Sequence, residues 1–68
     1  MDSNRKELAL YVINLKIAEE IKNNTETDFE KFREKMDVFY NEKEEVYKDN
    51  EEVVDKILTV YIEEFKNK

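Results

Sequence analysis

The side chains of this chain that could do chemistry are almost all carboxylates and ammonium groups. Eighteen Asp and Glu stand against twelve Lys and Arg, with four Tyr, the aliphatic hydroxyls Ser3, Thr25, Thr27 and Thr59, and neither His nor Cys. Nucleophilic catalysis needs an activated hydroxyl, thiol or amine beside a base, and the commonest base is missing. Paired carboxylates could share general acid and base roles or hold a metal, and Glu19/Glu20 and Glu63/Glu64 are the obvious pairs. Neighbours on a helix diverge by about 100°, however, so neither pair converges on one atom. Di-iron bundles also require Glu-x-x-His motifs, an EF-hand loop requires a central Gly, and phosphate-cradling loops require several. The chain has no His and no Gly. The expectation is no enzyme: catalytic none, cofactor none, metal none.

The acids are unevenly spread. Glu42, Glu44, Glu45, Asp49, Glu51, Glu52 and Asp55 lie among only two lysines, Lys43 and Lys48, so seven acids less two bases put −5 of the chain's net −6 in one stretch. Such a cluster could dock a basic partner or imitate nucleic-acid phosphates. The plainer reading gives Glu51, Glu52 and Asp55 to a helix N-terminus, where the dipole favours acids, and leaves Glu42, Glu44 and Glu45 to solvate the preceding helix. Direct binding to nucleic acid and to anionic membrane surfaces is opposed by the net charge. No apolar run reaches the ~18–20 residues of a membrane span, and the acidic start Met1-Asp2-Ser3-Asn4 is unlike a signal-peptide head. A cytoplasmic protein is expected, which also discounts the glycosylation sequon Asn23-Asn24-Thr25. The bias toward Lys, Asn, Glu and Ile suits a bacterial or phage gene.

Gly and Pro are both absent, which removes the usual tight hairpin turns and leaves Asn, Asp and Thr to interrupt helices. The expected fold is all-α: an antiparallel three-helix bundle in a single domain, residues 1–68, with helices at about 4–22, 28–48 and 51–66. Ser3 or Asp2 caps the first helix, and Asn23-Asn24 ends it in the left-handed conformation that Gly usually supplies. Thr27-Asp28-Phe29-Glu30 reads as a capping box opening the second. That helix carries one stripe, Phe29, Phe32, Met36, Phe39, Lys43 and Val46 at spacings of three and four, flanked by Tyr40 and Tyr47. Asn50 caps the third helix, whose main face is Val54, Ile57, Leu58, Tyr61 and Phe65, widened by Val53, Val60 and Ile62. The four tyrosines, Tyr11, Tyr40, Tyr47 and Tyr61, read as boundary core. Acid-first pairs at i,i+4, Asp2/Lys6, Glu44/Lys48, Glu52/Lys56 and Glu64/Lys68, suit solvated helix surfaces.

The first helix is unusual in carrying two apolar faces. Leu8, Tyr11, Val12, Leu15 and Ala18 form one, and Leu10, Ile13, Ile17 and Ile21 lie about 150° around from it at about 100° per residue. Such a helix needs partners on both sides, either the other two helices or a second copy of the protein. We assign Leu8, Val12 and Leu15 to the core of the protomer and Leu10, Ile13, Ile17 and Ile21 to the interface of a homodimer, with Asn14 between them able to fix register. A chain of 68 residues without disulfide or zinc has reason to gain stability by association. The function expected is a small, acidic, non-enzymatic regulatory protein acting by protein–protein interaction on a basic or apolar surface. A nucleic-acid-linked regulator, either an acidic mimic or a trihelical DNA-binding domain, and a structural subunit of a larger assembly are the alternatives.

Overall fold

Without Gly or Pro, this chain begins each helix that follows a loop with an Asp or Asn side chain. The computed structural model describes residues 2–67. Helix α1 spans Ser3–Lys22 and is capped by Asp2, whose carboxylate accepts from the Asn4 amide at 2.9 Å. Helix α2 spans Phe29–Tyr47. Its cap is Asp28 rather than Thr27: the Asp28 carboxylate accepts from the amides of Glu30 and Lys31 at 3.0 and 3.4 Å. The carboxylate of Glu26 in turn accepts from the Asp28 amide at 3.0 Å, so the box expected of Thr27 and Glu30 is replaced by two acids one residue out of step. An acid accepts more strongly than a hydroxyl, and the N-terminal dipole favours it further.

The two turns solve the missing-glycine problem differently. Asn23 closes α1 with φ at −95°, not in the left-handed region, and the Asn24 side chain accepts from the Glu26 amide at 2.9 Å to build the loop. At the second turn Asp49 takes φ of 63°, and it is the one left-handed residue among those described. The Asn50 amide donates to the Glu45 carbonyl and the Asp49 amide to the Val46 carbonyl, both at 3.0 Å, which is a Schellman closure with Asp49 in the glycine position. Asn50 then caps helix α3, Glu51–Lys56, through the Val53 amide at 3.3 Å.

The third helix is one rod in three parts: α3, a π-helical turn at Ile57–Tyr61, and α4, Ile62–Lys66. The π turn lies within a run rich in β-branched residues, and the Thr59 hydroxyl donates to the Asp55 carbonyl four residues back. That bond competes with the regular helical ladder at the point where it widens.

Ion pairs record how the rods lie. Lys6 reaches Asp49 and the Tyr47 carbonyl while Glu20 meets Lys35, so α1 and α2 run antiparallel. Arg5 meets Asp55 and Lys16 meets Glu64, so α1 runs parallel to the third helix. The expected up-down-up three-helix bundle is what forms. It is elongated and flat, with principal extents of 39 × 26 × 15 Å. The core consists of Ala9, Val12, Ile13 and Ile17 from α1, Met36 and Val46 from α2, and Val54, Ile57 and Tyr61 from the third helix. Phe32, Phe39, Leu58 and Phe65 pack at its edge.

These positions reverse the reading of α1. Ile13 is fully buried and Ile17 nearly so, and Leu10 packs against the same core; of the residues assigned to an interface only Ile21 is exposed. Leu8 and Leu15, assigned to the core, face outward, while Val12 is inside. The reason lies in the middle of the buried arc, where the sequence puts Ala9, Lys16 and Glu20. Ala9 lets helices approach closely, and Lys16 and Glu20 are mostly covered because they bond each other and their neighbours. The polar pair divides a single inward face into two flanks that look independent in the sequence.

The i,i+4 ion pairs are likewise not the ones formed. Lys6 goes to Asp49 at 2.9 Å, joining α1 to the second turn, and Lys56 to Glu42 at 2.7 Å, joining the third helix to α2. The Glu64/Lys68 pair lies outside the described residues.

Candidate functional site

Two arrangements stand apart from ordinary bundle packing. The first is the outer face of α1. Leu8, Tyr11 and Leu15 are 48, 62 and 42 % exposed, and Asn4, Ala18 and Lys22 are exposed on the same side. These six positions are spaced four, three, four, three and four, the a/d repeat of a coiled-coil seam turned away from the protomer's own core. From Leu8 to Ala18 the only charged residue is Lys16, which is partly buried on the opposite side, so this part of the outer face carries no charge of its own. In a chain of 44 % charged residues that is an exception. Of the other exposed apolar side chains, Ile21, Phe29 and Tyr47 lie at helix ends, and Val38, Tyr40 and Val60 stand singly among charges. Val38 has Glu34 and Lys35 one turn away, Tyr40 has Asp37, Lys43 and Glu44, and Val60 has Lys56, Glu63 and Glu64. Scattered apolar residues of that kind are normal on soluble surfaces, whereas a contiguous uncharged stripe marks a contact.

The second arrangement is a polar cluster inside the bundle. Glu42 is 8 % exposed. The Tyr61 hydroxyl donates to one of its oxygens and the Lys56 ammonium to the other, at 2.7 Å for the lysine. The Tyr61 ring meets Phe39 edge-on with centroids 6.0 Å apart, and the ammonium groups of Lys16 and Lys56 lie 5.7 and 5.6 Å from its centroid. Lys16 bonds Glu64 at 2.7 Å and Glu20 at 3.1 Å, and Glu20 bonds Lys35 at 2.8 Å, so this network ties all three helices.

The electrostatics follow from these contacts. Burial raises the Tyr61 phenol far above its ordinary range, and the bond to the Glu42 carboxylate adds to it, because losing the proton would put two anions together. Burial alone would lower Lys16, but the hydrogen bonds it donates to Glu64 and Glu20 outweigh it and the ammonium is raised. The hydrogen bond from Lys35 lowers Glu20 against the opposing effect of burial, with Lys16 helping. At the surface the bond from Lys6 lowers Asp49. Every member of the inner cluster has a partner, and no buried side-chain polar atom among the described residues lacks one. A satisfied network of this kind fixes helix register.

The acidic stretch is not one surface. Glu42 is inside the bundle, Asp49 pairs with Lys6, Asp55 pairs with Arg5, and Glu45 is half-buried. Glu44, Glu51 and Glu52 remain exposed, the last two in the first turn of α3. The docking surface read from seven acids is therefore reduced, and the acidic-mimic reading loses three of its seven charges to partners within the chain. Of the tyrosines only Tyr61 is core; Tyr11, Tyr40 and Tyr47 are exposed, and Asn14 is exposed beside the α1 stripe. The role of Glu42 was available in the sequence as a second option: Phe39, Glu42 and Val46 are spaced three and four, just as Phe39, Lys43 and Val46 are spaced four and three. Lys43 is the more natural choice because its long stem can leave the core, yet it is only half-buried and Glu42 goes in, drawn by Tyr61.

Among the described residues no group of three or more acids is placed to hold a metal ion and no pocket is formed. No helix among them is long and apolar enough to cross a membrane. No family model matches the chain, and neither a curated protein nor a solved structure matches it.

Proposed function

We propose that this protein works without catalysis, by protein–protein contact through the outer face of α1. The observation that carries the reading is the uncharged stripe of Leu8, Tyr11 and Leu15, exposed on a rod whose opposite side is fully engaged in the protomer core. Leu8, Tyr11 and Leu15 have only one charged residue apiece a turn away, Arg5, Glu7 and Glu19; leaving them in water weakens solubility, and covering them recovers roughly 25 cal/mol per Å² of apolar area. Tyr suits such a surface because its ring adds contact area while its hydroxyl stays wet at the rim.

The test compares three baits, wild type, Leu15→Glu and Val38→Glu, in quantitative affinity capture. Both substitutions place a charge at a site already exposed, so both variants keep helical content and melting temperature close to wild type. Proteins that use the α1 face, including differently tagged copies of the chain itself, are retained by wild type and Val38→Glu and lost by Leu15→Glu. A capture profile that is the same for all three folded baits would overturn the assignment.

A further inference from the structure

We infer that the occupant of the α1 face is the α1 face of a second copy, packed antiparallel about a two-fold axis beside Ile13. This rests on the contact reading above and adds the partner, its direction and its register. The seam matches itself better in that direction, although Glu7 then comes beside Ile21 of the second copy on one flank. Centred there, an antiparallel pair sets Leu8 against Ala18 of the second copy and Tyr11 against Leu15, so each large side chain meets a smaller or differently shaped one, and the two-fold axis repeats both layers. At the flank, Arg5 of one copy comes beside Glu19 of the other, at both ends. Arg5 already reaches Asp55 in its own chain, and the five donors of a guanidinium serve two carboxylates at once. The Asn14 side chains meet at the axis, polar against polar.

A parallel pair lacks these matches. It stacks Lys22 on Lys22 and Ala18 on Ala18, and forms no opposite-charge flank. Like charges directly opposed and an unfilled alanine layer both act against it. The acidic outer faces of α2 and α3 also stay on the far sides of an α1–α1 dimer, where the repulsion between two chains of net charge −6 is screened by salt. A seam of this length is a small interface, below about 1,200 Å², in the class of weak and transient contacts.

The experiment uses the full chain, which has no cysteine of its own. Sedimentation of wild type from about 1 μM to about 1 mM covers the range of a weak contact and should show a monomer becoming a dimer. Leu8→Cys and Ala18→Cys variants are then oxidised mildly, each alone and as an equimolar mixture, with Val38→Cys for the collisional background. In the antiparallel register the two Leu8 positions are ten residues apart along the axis, about 15 Å, too far for a disulfide, whereas Leu8 and Ala18 of opposite copies are adjacent. The mixture should cross-link at least tenfold faster than either variant alone. Faster self-cross-linking of Leu8→Cys would overturn the antiparallel register. A wild type that stays monomeric throughout would overturn self-pairing; if Leu15→Glu still loses captured proteins in that case, the contact face stands with a different partner.

Discussion

Removing one oxygen from Tyr61 tests whether the buried Glu42 cluster holds the three helices in register. Tyr61→Phe keeps the ring, its edge-on contact with Phe39 and the two ammonium groups near it, and deletes only the hydroxyl that donates to Glu42. A buried hydrogen bond to a charged acceptor contributes about 1.5–3 kcal/mol. Lys56 remains on the other oxygen, but at 48 % side-chain exposure water competes for it and its share is at most about 1 kcal/mol. The expected loss is therefore about 2 kcal/mol. For a domain of 68 residues the whole stability is about 3–10 kcal/mol at ~0.05–0.15 kcal/mol per residue, so a single hydroxyl carries a fifth or more of it. The corresponding drop in melting temperature is roughly 8–16 °C at about 4–8 °C per kcal/mol. The assay is urea unfolding by circular dichroism on wild type, Tyr61→Phe, Glu42→Ala and the double variant, at a concentration where the chain is monomeric. The Glu42 effects on Lys56 cancel around the cycle and leave the Tyr61–Glu42 coupling. A coupling below about 0.5 kcal/mol would refute the reasoning, because the bond would then be no stronger than the solvent contacts it replaces.

Three substitutions and a pH series extend the test. Asp28→Ala should destabilise by about 1 kcal/mol while Thr27→Ala changes stability by a few tenths, and equal losses in matched denaturation curves would return the cap to Thr27. Ile17→Glu should unfold the chain, since it buries an unpaired charge in the core, and a helical, cooperatively melting Ile17→Glu protein would contradict that placement. Stability should fall in alkali: Tyr61 and Lys16 hold their protons more tightly folded than unfolded, so their contribution is complete below the ordinary values of 10.0 and 10.5 and is lost as pH climbs above them. Tyrosinate absorbance of wild type minus that of Tyr61→Phe should appear only together with the loss of helix. Ionisation of that phenol in a fully helical protein would disprove its burial.

Much of the architecture was legible because the sequence lacks Gly and Pro. With no alternative turn formers, Asn23-Asn24 and Asp49-Asn50 had to be the breaks, and the helix boundaries read from them lie within two residues of those found. The direction in which α1 faces was not legible. Leu8/Tyr11/Leu15 and Leu10/Ile13/Ile17 have similar hydrophobic content, and what decides between them is long-range: Glu64 and Lys35, far along the chain, satisfy Lys16 and Glu20 at the middle of the inward arc. Helical periodicity sees only neighbours three and four apart and scores a lysine at a core position as a defect. Glu42 was missed for the same reason, as its partner Tyr61 lies nineteen residues away.

The third helix stores a spare residue. A π turn takes up one residue more than an α turn without redirecting the rod, so the segment at Ile57–Tyr61 is an insertion absorbed in place. Excising the outward-facing Val60 would let the ladder close into α geometry, with Val54 and Ile57 before it and Tyr61 and Phe65 after it still facing the core. In α1 or α2 no such slack exists. Removing one residue there turns everything beyond it by about 100° and brings core side chains out to water. The bundle can thus change length by a residue in its third rod alone, at the turn that presents Tyr61 to Glu42.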